Sequence, residues 1–228
     1  MKRAFSLVEM VLSCALLSLA TLVAFALFQF GNQAFRLGNL RNNLQGEARR
    51  VSGRLESDLR RADFTLTTVL NKGNLPAREV LSSSGQLVQR DAICVPGLSS
   101  WTAASSYDGV TGLPLWDQYH VYYATTEADG GRIIRQTVQP AGFPYTSAWA
   151  AFGATSLQNT PNLNTGPILA TETLAQQVEE FHLAVGTAPN SFSVSLRFRG
   201  TGGRKPGTGK RLDESLQVQF QFRAENTP

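Results

Sequence analysis

Cysteine, histidine and charge are all scarce in this chain of 228 residues. Its two cysteines, Cys14 and Cys94, stand in unrelated settings, which excludes a disulfide framework and a cysteine-based zinc site. The two histidines, His120 and His182, each fall in a strand-like run without a cysteine or carboxylate at ligand spacing. The chain is therefore read as having no metal site, no cofactor and no catalytic residues. Charged residues make up 17% of the whole, and 21 Lys+Arg against 17 Asp+Glu leave a net charge of only +4. Residues 62–228 hold 12 basic and 13 acidic side chains, so no basic field steers a polyanion and no nucleic-acid binding is expected. No G-x-S-x-G elbow occurs. Gly207-Thr208-Gly209-Lys210 resembles the end of a phosphate-binding loop, but Arg204 stands where its first glycine belongs and Arg211 follows the lysine. Asp108, Asp117, Glu127 and Asp129 lie in or beside loops and are expected to face solvent.

Proline is absent before Pro76, and the region it spares is the informative one. From Phe5 to Phe30 the only charged side chain is Glu9. As a helix this run spans roughly 39 Å, more than the ~30 Å apolar core of a bilayer. It is also longer than the apolar part of a secretory signal. Lys2 and Arg3 precede it, which favours an N-terminus on the cytoplasmic side. A carboxylate one turn inside such a run costs on the order of ~3 kcal/mol and marks a function or a paired charge. A free α-amino group at a newly exposed Phe5 would supply the partner, in the same chain or from a neighbouring one.

Lys2-Arg3-Ala4 followed by Phe5-Ser6-Leu7-Val8-Glu9-Met10-Val11-Leu12 resembles the class III signal of type IV pilins and type II secretion pseudopilins. The resemblance implies that a prepilin peptidase cuts between Ala4 and Phe5 and methylates the Phe5 amine. It also implies that Glu9 pairs with the N-terminus of a neighbouring subunit during assembly. Where most of the family carries glycine before the cut, this chain has Ala4. The implied partners are other pseudopilins or pilins, the peptidase, an inner-membrane assembly platform and the lipid bilayer. The implied location is the bacterial inner membrane, crossed once, with the C-terminal domain in the periplasm.

Beyond Phe30 the helix pattern persists with changed chemistry. Leu37, Leu40, Leu44, Ala48, Val51, Leu55 and Leu59 recur in steps of three and four, one stripe of a 3.6-residue period. Arg41, Arg49, Arg50, Arg54, Asp58 and Arg61 fill much of the remaining surface, and Arg49-Arg50 and Arg60-Arg61 are read either as contacts to acidic lipid or as the solvated face of the helix. Gly31, Gly38, Gly46 and Gly53 interrupt this stretch, each at a cost of about 1 kcal/mol relative to alanine. Either they are tolerated on the surface, or Gly31 and Gly38 let the helix stretch when packed in a filament.

The remainder reads as strands and loops. Residues 79–83 and 86–90 predict a short hairpin, and residues 119–125 and 132–138, rich in aromatic and β-branched side chains around a glycine turn, predict a second. A third is expected from 181–186 and 191–199, with 173–180 as a short helix or an extended lead-in. A mobile loop at 200–210 and a closing strand at 216–222 complete the pattern. Long surface loops are expected near 98–116 and 140–168.

The resulting expectation is an α+β, pilin-like fold. Residues 1–4 form a leader, 5–30 the transmembrane half of one helix, 31–62 its amphipathic half, and 63–228 a periplasmic antiparallel sheet domain. The strands 119–125 and 132–138 and the lead-in Val178-Glu179-Glu180-Phe181 resemble J-type minor pseudopilins and W-type minor pilins. The acidic calcium loop of a major pseudopilin is missing, since Asp213 and Glu214 adjoin a basic loop. Three functions fit: a minor pseudopilin in the initiating or tip complex of a secretion fibre, a minor pilin of a type IV pilus, or a single-span anchored binding or scaffold domain.

Overall fold

The periodic stripe builds the first element. Helix α1, Leu7–Arg61, runs unbroken for 55 residues, and Leu44, Ala48, Val51, Leu55 and Leu59 are its buried positions. Arg60 and Arg61 in the last turn complement the helix dipole. Asp63 then takes an extended backbone and accepts the Thr65 N–H, turning the chain into a single 3-10 turn at Phe64–Leu66. The computed structural model describes residues 6–70, 78–82, 85–128, 130–149, 152, 157–164, 166–204 and 211–225.

Among the described residues nine strands follow: β1 Thr68–Leu70, β2 Glu79–Leu81, β3 Leu87–Gln89, β4 Ala92–Gly97, β5 Gln118–Ala124, β6 Gly131–Val138, β7 Ile168–Val185, β8 Ser191–Arg204 and β9 Arg211–Arg223. Seven form one sheet in the order β1-β4-β5-β6-β7-β8-β9, and β2 and β3 pair separately as a hairpin. The protein is thus an α+β fold in which one long N-terminal helix packs against a curled antiparallel sheet, a pilin-like architecture.

Two compact units can be told apart. One holds Asn43–Gly200 and Ser215–Pro228. In it the stripe of α1 packs on Ile93, Val95, Tyr122, Ile133, Leu196 and Phe198 from one face of the sheet. The alternate residues Cys94, Tyr119, Val121, Tyr123 and Ile134 point to the other face and enter a second core. Strands β4 and β5 are consequently buried at every position, which is why they read as continuous apolar runs rather than alternating ones. The other unit comprises Met1–Asn42 and Thr201–Glu214; in its described part the apolar face of α1 is exposed.

Several local expectations change. Residues 173–180 take the extended alternative rather than the helical one, and they form the middle of the 18-residue β7 rather than a separate lead-in. Its first half pairs with β6 and its second with β8, with register shifts along both ladders. Gln177 sits at the irregularity with φ +55°. The helix satisfies main-chain groups there: Gln176 donates its N–H to Glu47 Oε2 (3.1 Å) and Arg50 Nη1 reaches Leu174 O (3.4 Å). Residues 200–204 continue β8 rather than opening a loop, and β9 already begins at Arg211; the rest of the expected mobile loop, 205–210, lies outside the described residues.

The two long loops also differ from expectation. They are not simply surface: Trp101, Trp116, Tyr145, Trp149, Phe152 and Leu157 fold over the second sheet face. Tyr145 donates its N–H to Trp116 O (2.8 Å), joining one loop to the other. The rings of Tyr119 and Tyr145 stack 4.7 Å apart, and Trp101 meets Trp116 edge-on at 6.0 Å. A sheet with apolar side chains on both faces needs two covers, and the helix supplies only one.

Candidate functional site

The candidate assembly element is the N-terminal part of α1. Leu7, Val8, Met10, Val11, Leu12, Leu16 and Leu17 are all at least 60% exposed. A continuous apolar surface of that size on a helix is unusual for a protein alone in water and marks a surface suited to lipid or to other protein. Among the described residues one helix, α1, is long and apolar enough to cross a membrane. Two of its hydroxyls bond back to the helix: Ser18 Oγ donates to Cys14 O and Thr21 Oγ1 to Leu17 O, each at 2.8 Å. Such back-bonding satisfies a hydroxyl without water.

Glu9 lies in the first turn. Its Oε2 accepts the Ser6 N–H at 3.0 Å, and its own N–H donates to Ser6 Oγ at 3.2 Å. Ser6 and Glu9 are therefore the two halves of a capping box. The carboxylate satisfies a main-chain donor that the helix cannot reach and lies near the positive end of the dipole. The signal was present in the chain as Ser6-Leu7-Val8-Glu9, the S-x-x-E spacing ahead of an apolar run. A carboxylate offers about four lone-pair positions, so one bond to Ser6 leaves room for a second donor.

Lys2, Arg3, Ala4 and Phe5, the expected leader charges and cleavage position, lie outside the described residues. Gly31 and Gly38 sit within the unbroken helix, and a Cβ built at either would meet nothing within 4 Å. No close approach inside this chain requires them to be glycine.

The amphipathic half of α1 is tied to the sheet by buried charge. Asp58, expected outside the packed stripe, is 14% exposed and pairs with Arg135 of β6, itself 10% exposed. Arg135 Nη2 and Nε approach Asp58 Oδ2 at 2.9 and 3.0 Å, and Tyr122 of β5 donates its hydroxyl to the same oxygen at 2.5 Å. Burial first, and then the Asp58 charge, hold the Tyr122 hydroxyl well above its ordinary range, so it stays a donor. The correction has a simple cause. Asp58 directly precedes the stripe residue Leu59 and stands over β5 and β6, where the arginine side chain arrives from a strand whose pairing the helix period does not reveal.

His120 is a buried strand histidine that contacts Thr137 Oγ1 at 3.3 Å. A Cβ on Gly97 would come within 2.5 Å of its Nε2, so glycine is what admits the ring. Burial pushes its pKa down to about 4; Asp58 and Asp117 act against that shift, and Arg135 and Arg54 add to it. Protons then bind the unfolded chain, at 6.5, before the folded one. Stability present above pH 6.5 is lost as pH falls towards 4, by roughly 3 kcal/mol from this group. Unfolding titrations of the full chain in detergent should show that slope, and His120→Gln should flatten it.

His182 is half exposed, and its Nδ1 lies 2.8 Å from Oδ2 of the fully buried Asp91, which also accepts the Leu183 N–H. Desolvation raises the Asp91 carboxyl above its ordinary value despite these two donors. This pair crosses from β7 to the start of β4, and sequence spacing gave no sign of it because 91 residues separate its members. Cys94 is buried, and burial raises its thiol far out of the reactive range. Asp108 is partly exposed, its carboxyl held low by the N–H groups of Thr111 and Val110. Glu127 instead pairs with Arg132 at 2.8 Å, and Asp117 accepts from Ser99. Asp129 lies outside the described residues. No group of three or more metal-ligating side chains occurs among the described residues. No known protein family, curated protein or solved structure matches this chain.

Proposed function

We propose that the chain is a minor pilin-like structural subunit, one that joins other pseudopilins in the short periplasmic fibre of a type II secretion system, in its initiating or tip complex. The observation that carries this reading is a helix with two chemistries in one unbroken element. Its N-terminal part is capped by Glu9 and exposes apolar side chains; its C-terminal part is locked to a curled sheet by a stripe and a buried ion pair. A subunit of a helical bundle needs both, because the first part must exchange lipid for neighbouring helices while the second holds the domain in register. On this account the chain carries out no chemistry of its own. It is processed between Ala4 and Phe5, anchored in the inner membrane, and assembled through Glu9.

The test is co-expression of the full chain with a fibre-forming set of pseudopilins and their peptidase. Sheared fibres or detergent-solubilised subcomplexes should contain the chain. Recovery only as an unassembled membrane protein would leave the anchored scaffold domain as the better description, and recovery with pilus subunits alone would favour the minor pilin.

A further inference from the structure

The two edges of the seven-stranded sheet are unlike. One is the three-residue β1; the other is β9, thirteen residues long. From Ser215 to Phe222 this strand contains no proline, glycine or charged side chain, so that stretch lacks the usual devices that blunt an exposed edge. The direction of its main-chain groups follows from the residues just after it. Ala224 donates its N–H to Asn190 O, beside the start of β8, whereas Glu225 turns its N–H to Arg60 O. Alternation along an antiparallel strand sends the main-chain groups of Leu216, Val218, Phe220 and Phe222 to β8. Those of Gln217, Gln219, Gln221 and Arg223 then face outward, where no strand pairs with β9 among the described residues. Leu216, Val218 and Phe220 pack only partly against the core shared with α1, while the three glutamines are exposed.

We propose that this edge is a strand-addition site for an extended segment of a different polypeptide. The segment alternates apolar and polar residues, so that its apolar side chains continue the row of Leu216, Val218 and Phe220. The open N–H and C=O groups specify a strand, since only another extended main chain matches their spacing. A second copy of β9 is excluded by direction, a step that rests on the membrane anchoring proposed above. Antiparallel self-pairing sets a two-fold axis normal to the sheet, which reverses the packed part of α1. The two copies would then receive their chains from opposite sides, whereas copies anchored in one bilayer receive them from the same side. Parallel self-pairing would turn one sheet over and separate the apolar rows.

The probe is a labelled, end-blocked nonapeptide alternating valine and threonine, followed by fluorescence anisotropy with the full chain in detergent micelles. Saturable binding is expected, weakened at least about tenfold by Gln219→Pro, which removes an outward N–H the fold does not use. Gln219→Ala keeps that N–H and should bind as the wild type does. Should Gln219→Pro unfold, the wild-type chain with the peptide N-methylated at alternate residues reads the same edge and should show no binding. Absence of saturable binding by the wild type, equal binding by the proline variant or the methylated peptide, or sedimentation showing a wild-type dimer that Gln219→Pro dissolves would each overturn the proposal. The binding assay contains no other pilin-like subunit and needs no processed N-terminus, so its failure is distinct from failure of the fibre reading.

Discussion

Asp58→Ala is expected to destabilise the sheet domain by about 3–5 kcal/mol, because it leaves the Arg135 guanidinium buried without its counter-charge. The geometry decides this magnitude. Arg135 and Asp58 side chains are 10% and 14% exposed, and two arginine nitrogens and the Tyr122 hydroxyl converge on one carboxylate oxygen. An exposed pair would contribute less than about 1 kcal/mol. Replacing both charges, as Asp58→Leu with Arg135→Met, should return stability to within about 2 kcal/mol of the wild type, since neither charge is then stranded. Denaturant titrations of the full chain in detergent, followed by Trp101, Trp116 and Trp149, measure both; all three tryptophans lie in or against the second core. A loss under about 1 kcal/mol for the single variant would mean that water reaches the pair and that the stripe alone holds α1 to the sheet.

The Glu9→Val chain is expected to insert into the membrane and fold its domain normally, yet fail to join a fibre. Insertion gains on the order of 3 kcal/mol from losing a carboxylate in the apolar run. The helix loses one cap bond, worth about 1 kcal/mol, a local effect in an element of 55 residues. If Glu9 served only as half of the capping box, Ser6→Ala would be as harmful, because it removes the other half. The assembly reading predicts instead that Ser6→Ala is tolerated while Glu9→Val and Glu9→Gln are excluded. Co-purification with neighbouring subunits, normalised to the amount in the membrane, separates the two roles. Equal incorporation of all three variants would reduce Glu9 to a helix cap.

The elements that the sequence made legible are those whose periodicity is simple. The seven-residue stripe from Leu37 to Leu59 announced the packed helix, although Leu37 and Leu40 are only half-buried. The aromatic and β-branched runs around 130 announced β5 and β6. Strand β4 gives no such signal, because a strand covered on both faces carries no alternation. Strand β7 shows only its second part in the sequence, because its register shifts and Gln177 break the period midway. The second core is illegible in the sequence for another reason. Its aromatic residues are scattered through segments whose Gly, Pro and Ser content marks them as loops, and nothing in such composition says which sheet face they cover. Buried pairs such as Asp58–Arg135 and Asp91–His182 join residues 77 and 91 positions apart, so they become visible only once the strand order is known.

The most direct measurement of the central claim is the mass of the chain after expression with a prepilin peptidase. The account predicts a mature chain that begins at Phe5 and carries one added methyl group, with Glu9 then four residues along the chain from a charged amine. A chain that retains Met1 through Ala4 in the presence of active peptidase would contradict it.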